Sequence, residues 1–408
     1  MKVLLFPLVI IFQISFATAQ PVLKPGIYRS ILYRDDKREV VFNLEVRQIN
    51  NETQLSIINA TEKILIKDLI VKKDSVNFKM PVFESEFKTQ IQADGSLKGI
   101  WFKGTADITQ QWMFVALPGK KRFELDQGNA KNNISGRWEV TLKRANGTLR
   151  YAIAEFIQKG NNLTGTFLTP SGDYRYLQGV VTGNKLLLST FDGAHAYTFS
   201  ATIENEEKIA DGFFGSGIAG VETWVAKKNN NASVLESTVP QLKDGFTNLD
   251  FSFNDLNGNK VSIADGKFKN KAVIIQIMGS WCPNCMDETK FLSDYYNKNK
   301  SKGIEVIALA YEYSTNLSRS QKSLKKFQQL FNVQYPMLIT GATANDSLKT
   351  EKTLPQLTAI KVFPTTIFIN KKGTVYKIHS GFYGPGSGKY FEEFKKEFYA
   401  TIGEMLKE

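Results

Sequence analysis

Two long stretches of the chain alternate between apolar and polar positions over short runs separated by polar turns. Residues 26–117 give strands near 40–46, 54–58, 63–70, 75–80 and 89–91, with turns at Ile49-Asn50-Asn51 and Ala93-Asp94-Gly95. Residues 136–226 repeat the style, with turns at Lys159-Gly160-Asn161-Asn162, Ser171-Gly172 and Thr182-Gly183-Asn184. The two stretches share landmarks. Gly26-Ile27-Tyr28 answers Gly136-Arg137-Trp138, Val71 answers Val181, and Phe87 answers Phe199. Gly99-Ile100-Trp101 answers Gly212-Phe213-Phe214, and Trp112 answers Trp224, all at offsets of 110 to 113 residues. That period is too long for a solenoid repeat. It predicts two similar antiparallel β-domains, barrel-like or sandwich-like, at 20–118 and 134–228. The polar stretches 117–133 and 227–240 read as linkers.

Beyond residue 245 the rhythm changes to alternating strands and helices. A strand near Phe251 turns at Asn257-Gly258-Asn259 into Val261-Ser262-Ile263. Residues 273–278 are almost continuously apolar, which predicts a central strand buried on both faces. A helix runs from Cys282 to about Tyr296, and 305–310 forms the next buried strand. Leu324, Phe327, Leu330 and Phe331 share one helix face. A hairpin joins 366–369 to 375–378 across Lys371-Lys372-Gly373. Phe391, Phe394, Phe398, Ile402 and Leu406 form the buried stripe of a last helix. The expected fold is multidomain, with two small β-domains followed by an α/β domain over 245–408.

A length of 408 residues with 42% hydrophobic content supports several cores and excludes a disordered chain. The net charge of +12 is spread along the whole length, which reads as a basic surface and predicts no nucleic-acid partner. Lys2, the apolar run 3–16 and Ala17-Thr18-Ala19 read as a signal peptide over 1–19, so the protein is expected in the periplasm or otherwise exported.

Cys282 and Cys285 are the chain's two cysteines. A bridge across two residues closes almost no loop and adds little stability, so chemistry explains the pair better than stapling does. A cysteine between a buried strand and the first turn of a helix meets unpaired N–H groups and the positive end of the helix. Its thiolate is stabilised and becomes a nucleophile near neutral pH. Cys282 takes that place, and Cys285, one turn on, can resolve a mixed disulfide. Pro283 suits the first helical position, and Trp281 packs beside the sulfurs. Half of a zinc site is the alternative reading of such a pair. The other soft ligands are His195 and His379, which read as ordinary strand residues, His195 in a different domain. No metal is expected.

The strand, Trp281-Cys282-Pro283-Asn284-Cys285 and the later Val362-Phe363-Pro364-Thr365-Thr366 resemble the TlpA/ResA branch of the thioredoxin superfamily over roughly 245–408. The resemblance implies a thioredoxin-like domain and an exported thiol–disulfide oxidoreductase that reduces protein disulfides through its dithiol, with no dissociable cofactor. It implies a cis Pro364 opposite the cysteines, a substrate-binding neighbourhood around Phe363, Pro364 and Trp281, and a proton-handling role for Glu288. Its partners would be protein disulfides and an upstream membrane thiol reductase. The sequence departs from the family in Glu288-Thr289-Lys290, where many relatives place a proline, and in the segments 341–359 and 381–388. A thiol peroxidase of the peroxiredoxin type remains open, as does an envelope binding or adaptor protein whose β-domains hold a ligand or partner, which a deep apolar cavity inside either barrel would support.

Overall fold

The computed structural model of the protein describes residues 22–104, 109–217, 220–234 and 238–407. The expected signal peptide lies outside them. Three sheets form, and each grows from one of the three patterned stretches.

The first sheet is an antiparallel meander of β1 (Gly26–Tyr33), β2 (Glu39–Ile49), β3 (Glu52–Asn59), β4 (Glu62–Ile66), β5 (Asp68–Lys72), β6 (Ser75–Lys79), β7 (Ser85–Ile91), β8 (Leu97–Gly104) and β9 (Thr109–Pro118). Because β1 pairs with both β2 and β9, the sheet curls into a nearly closed barrel whose edges are β4 and β5. Asn50 and Asn51 both have positive φ, the backbone a two-residue hairpin turn demands, and asparagine accepts it more readily than most residues. The single strand expected over 63–70 is broken at Lys67. Its first half pairs with β3 and its second with β6, so the chain bends there to change neighbours.

The second sheet contains β10 (Gly136–Arg144), β11 (Leu149–Lys159), β12 (Asn162–Thr169), β13 (Gly172–Asp173), β14 (Leu177–Thr182), β15 (Lys185–Phe191), β16 (Ala196–Asn205), β17 (Lys208–Ser216) and β18 (Gly220–Lys228). Here β11 pairs with both β10 and β12, which closes an eight-stranded barrel and leaves β13 as a small appendage on β12. Alternate residues point inward and fill the interior. Phe167 stacks on Phe199 at 4.6 Å and Phe199 on Phe214 at 4.2 Å, with Trp138 and Trp224 fully buried beside them. In the first barrel, Phe42, Phe87, Trp101 and Phe114 do the same.

The third sheet holds β19 (Ser252–Asp255), β20 (Lys260–Ser262), β21 (Ala272–Met278), β22 (Ile304–Ala310), β23 (Met337–Ile339), β24 (Thr365–Ile369) and β25 (Val375–Ser380), in the order β20-β19-β23-β22-β21-β24-β25. Strands β21, β22 and β23 are parallel, and β24 runs antiparallel to β21. Every residue of β21 is buried, as its apolar run predicts. Helices α1 (Pro283–Asn299), α2 (Leu317–Leu330), α3 (Lys349–Thr353) and α4 (Lys389–Lys407) complete a thioredoxin-like α/β region; α3 occupies the extra segment 341–359.

The three regions interlock. Phe191, at the end of β15 in the second barrel, stacks on Phe42 at 4.6 Å inside the first barrel's core. Val82 and Phe83, from the first barrel, belong to the core of the third sheet, where Phe83 meets Phe327 edge-on at 6.4 Å. The stretch expected to be a plain polar linker carries Arg122, which is only 7% exposed. Its guanidinium donates to Ile58 O (3.0 Å) in the first barrel and to Ser189 O (2.9 Å) in the second. A buried guanidinium needs such acceptors, and they fix the two barrels together. Phe191→Ala should therefore lower the unfolding free energy by about 3–5 kcal/mol, the usual cost of emptying a buried aromatic site. Urea unfolding followed by tryptophan fluorescence checks this; a change under about 1 kcal/mol would show that the barrels do not depend on the shared ring.

Candidate functional site

The site is assembled where β21 hands over to α1. Cys282 is the N-cap of α1 and keeps extended backbone angles, while Pro283 occupies the first helical position. Cys282 Sγ accepts from the Cys285 N–H at 3.2 Å, so the sulfur satisfies one of the orphan donors of the helix end. The two cysteines form a disulfide with Cα atoms 5.2 Å apart. Cys282 is 5% exposed and Cys285 is fully buried, so an incoming group meets Cys282 first.

The other residues singled out in the sequence converge here. Trp281 donates its Nε1–H to Tyr311 O at 2.8 Å, stacks on Tyr313 at 4.5 Å and meets Phe363 edge-on at 5.4 Å. The Phe363–Pro364 peptide is cis, and Phe363 O lies 3.8 Å from Cys282 Sγ. Pro364 O accepts from Gly381 N at 2.8 Å, which anchors the loop to the segment after β25.

Glu288 lies on α1, one turn past Cys285, and is 1% exposed. Gln276 Nε2 donates to its Oε2 at 2.8 Å and Thr366 Oγ1 to its Oε1 at 2.5 Å. The same Gln276 amide reaches Cys285 O at 3.3 Å. Burial pushes the Glu288 carboxyl up to about 7, against both hydrogen bonds, which favour the charged form.

Several residues of the site were not singled out in the sequence. Asn284, between the cysteines, donates to Asp173 O (3.2 Å) on the second barrel and to Phe382 O (3.0 Å). Gly172 must be glycine there, because a Cβ would stand 1.9 Å from the Asn284 amide nitrogen. Arg175, buried and at a left-handed φ of 58°, ion-pairs with Asp287 of α1, with Glu62 of the first barrel and with Asp192 of the second at 3.1 Å. Glu312 receives Ser280 N at 2.8 Å and Ser280 Oγ at 2.5 Å, and burial raises its pKa. Its signal was available: it follows the carboxyl end of a buried parallel strand, where α/β sheets collect functional groups.

A cleft of about 500 Å3 opens beside the disulfide. Trp281 and Pro283, the neighbours of Cys282, line it together with Glu84 and Lys103 of the first barrel and His195 and Tyr197 of the second. The expectation for His195 is thus corrected. It sits in the turn between β15 and β16 rather than within a strand, and packing brings it to the redox motif. His379 does lie in a strand, β25, against Phe394. A larger hollow of about 610 Å3 lies on the outer face of the second barrel around Tyr151 and Val225 and includes none of these residues. Among the described residues no group of three His, Cys, Asp or Glu side chains could hold a metal ion.

A buried two-cysteine helix start facing a cis-proline loop on a central parallel sheet defines a thioredoxin-type redox domain. Comparison with known proteins gives the family. Residues 240–390 match the Redoxin family model. The chain is 26% identical over 140 residues to the thiol-disulfide oxidoreductase ResA of Bacillus subtilis, covering 34% of this chain and 69% of that protein. It is 28% identical over 147 residues to ResA of Bacillus thuringiensis, covering 36% and 73%. A solved thioredoxin domain of a thiol-disulfide oxidoreductase from Bacteroides vulgatus aligns at 23% identity over 38% of this chain and 99% of its own, with a TM-score of 0.28. The C-terminal region is therefore a TlpA/ResA-like domain of the thioredoxin superfamily, and the protein is a thiol–disulfide oxidoreductase.

The raised Glu288 carboxyl makes a measurable prediction for the oxidised protein, whose cysteines do not titrate. Between the ordinary 4.5 and about 7, the folded state keeps a proton that the unfolded chain has lost. The folded state then binds more protons, so stability falls as pH rises through this window and levels off above it. Glu288→Gln should remove that contribution, and the difference between variant and wild type should grow by up to about 3 kcal/mol from pH 4.5 to 7.5. Urea midpoints across this range check it; a pH-independent difference would mean Glu288 is ionised throughout.

Proposed function

We propose that the protein is exported and reduces disulfides in other proteins. The reading rests above all on one observation: Cys282 stands at the capped start of α1 with its sulfur held by a backbone N–H, while Cys285 is buried behind it. In the reduced protein the helix end stabilises the Cys282 thiolate, which attacks a substrate disulfide. Cys285 then attacks the mixed disulfide, the substrate leaves as a dithiol, and the Cys282–Cys285 bond forms. Glu288, with a carboxyl poised near neutrality beneath Cys285, takes the proton that Cys285 gives up. Trp281, Phe363 and Pro364 supply the surface on which the substrate chain docks.

No dissociable cofactor is required, because the dithiol carries both electrons. An upstream membrane thiol reductase would return the protein to its reduced form. Export is supported by the charged, apolar and small-residue pattern of residues 1–19. No helix among the described residues is long and apolar enough to cross a membrane. The chain divides into β-domains at 20–118 and 134–228, the second a copy of the first, and a redox domain at 245–408. Both barrels are filled with aromatic side chains, so the interiors give no support to a ligand-holding role.

In the reduced full chain, Cys282 should react with iodoacetamide at least about tenfold faster than Cys285 at pH 7, because it alone meets the helix end. Cys285→Ser should accumulate a mixed disulfide with insulin, and Cys282→Ser should not. Peptide mapping of the alkylated residue and non-reducing gels read both outcomes. A faster Cys285, or trapping by Cys282→Ser, would overturn the assignment.

A further inference from the structure

The first exchange step leaves one proton unassigned. When Cys282 attacks a disulfide, the nucleophile, the central sulfur and the leaving sulfur line up. With S–S bonds of about 2.05 Å, the leaving sulfur sits roughly 4 Å beyond Cys282 Sγ. An alkyl thiolate has a pKa near 8.5 and leaves poorly at pH 7 unless it is protonated. A donor for it belongs across the space in front of Cys282. Glu288 cannot serve, since it is buried beneath the helix and held by Gln276 and Thr366.

The second barrel contributes a histidine to the cleft that Trp281 and Pro283, the neighbours of Cys282, also line. The turn joining β15 to β16 is Asp192-Gly193-Ala194-His195, and its geometry is fixed by Asp192. Asp192 Oδ1 accepts from Ala194 N (3.0 Å) and His195 N (2.7 Å). Asp192 Oδ2 accepts from His195 Nδ1 at 3.0 Å and ion-pairs with Arg175, whose Nε lies 3.1 Å away. Ala194 packs against the core that contains both cysteines. The His195 ring lies 4.4 Å from that of Tyr197, its side chain is 16% exposed, and it lines the same cleft as Trp281 and Pro283. With Nδ1 donating to a carboxylate, the imidazole is fixed in orientation and Nε2 is left for a second proton. Among the described residues none bonds Nε2.

We propose that His195 is a further catalytic residue of the disulfide reaction: its Nε2–H protonates the sulfur that leaves when Cys282 attacks a disulfide bound in the cleft. The proposal rests on the disulfide-reducing reading above. One S–S bond forms between Cys282 and the central sulfur, the substrate's S–S bond breaks, and its electron pair goes to the leaving sulfur with the His195 proton. Asp192 balances the imidazolium before transfer. The other charged groups near it are Arg175 on Asp192, Lys103 with its amine on Ala194 O, Glu312, and the Glu84–Arg319 ion pair.

The test uses the reduced full chain in single-turnover reactions with two disulfides. One is a short peptide cystine, whose alkyl thiol needs a proton; the other is dithiobis(nitrobenzoate), whose aromatic thiolate leaves without one. His195→Gln should slow the peptide reaction at pH 7 by about tenfold to a hundredfold, the usual worth of a general acid, and flatten its fall toward high pH. The aromatic disulfide should react within about twofold of wild type. Equal losses on both substrates, or a loss on neither, would overturn the proposal. A wild-type protein inert toward both would overturn the disulfide-reducing reading and this proposal with it.

If His195→Gln does not fold, proton NMR of Cys285→Ser settles the matter, since the chain has two histidines and His379 serves as the reference. Loading Cys282 with a peptide as a mixed disulfide should move the His195 ring resonance and its titration midpoint, and leave those of His379 in place. An unmoved His195 would overturn the proposal.

Discussion

A guanidinium shut away from water must be met by acceptors, and Arg175 draws three carboxylates from three separate parts of the chain. Glu62 opens β4 in the first barrel, Asp192 begins the β15–β16 turn in the second, and Asp287 lies on the helix that carries the cysteines. Burial alone would drive the Arg175 proton off, and the carboxylates hold it well above its ordinary value. Burial likewise presses upward on Asp192, yet His195 and Arg175 keep its carboxyl well below the usual range. Such a cluster holds together only when all members are present, because a lone buried charge costs several kcal/mol. The placement of both barrels against α1 follows from it, as does the left-handed backbone at Arg175 and the contact of Asp173 O with Asn284.

That placement changes what a thioredoxin-type site can do. Asn284, between the cysteines, is tied to the second barrel and to Phe382. A cleft with walls from all three regions opens beside Trp281 and Pro283, the neighbours of Cys282. Glu288 is kept near neutrality by burial behind Cys285, and His195 is oriented by Asp192 at the cleft. Two successive sulfur transfers need proton handling at two places, and a helix end alone supplies neither.

The redox motif was legible in the sequence because its chemistry is local. A buried strand announces itself as an apolar run and a helix start by Cys282 and Pro283, while Glu288 was marked by the family resemblance. The β-regions were legible as short alternating segments with Asn- and Gly-rich turns, since a two-residue period and positive-φ turns are properties of neighbouring residues. Whether those strands closed was not legible. The closure of the second barrel depends on β11 pairing with both β10 and β12, and the break at Lys67 depends on a change of partner.

Charged and polar residues with distant partners were also beyond the sequence. Arg122 looked like part of a polar linker and His195 like a strand residue of another domain, while nothing singled out Arg175. Arg175 meets Glu62 across 113 residues and Asp287 across 112. The sequence by itself determined the elements and the two-cysteine helix start, because short-range periodicity and helix-end chemistry need no distant partner. Only the tertiary structure decided which buried charges face each other and that the β15–β16 turn stands at the dithiol. A polar side chain carries no mark of its eventual partner; packing alone removes the water that would otherwise satisfy it.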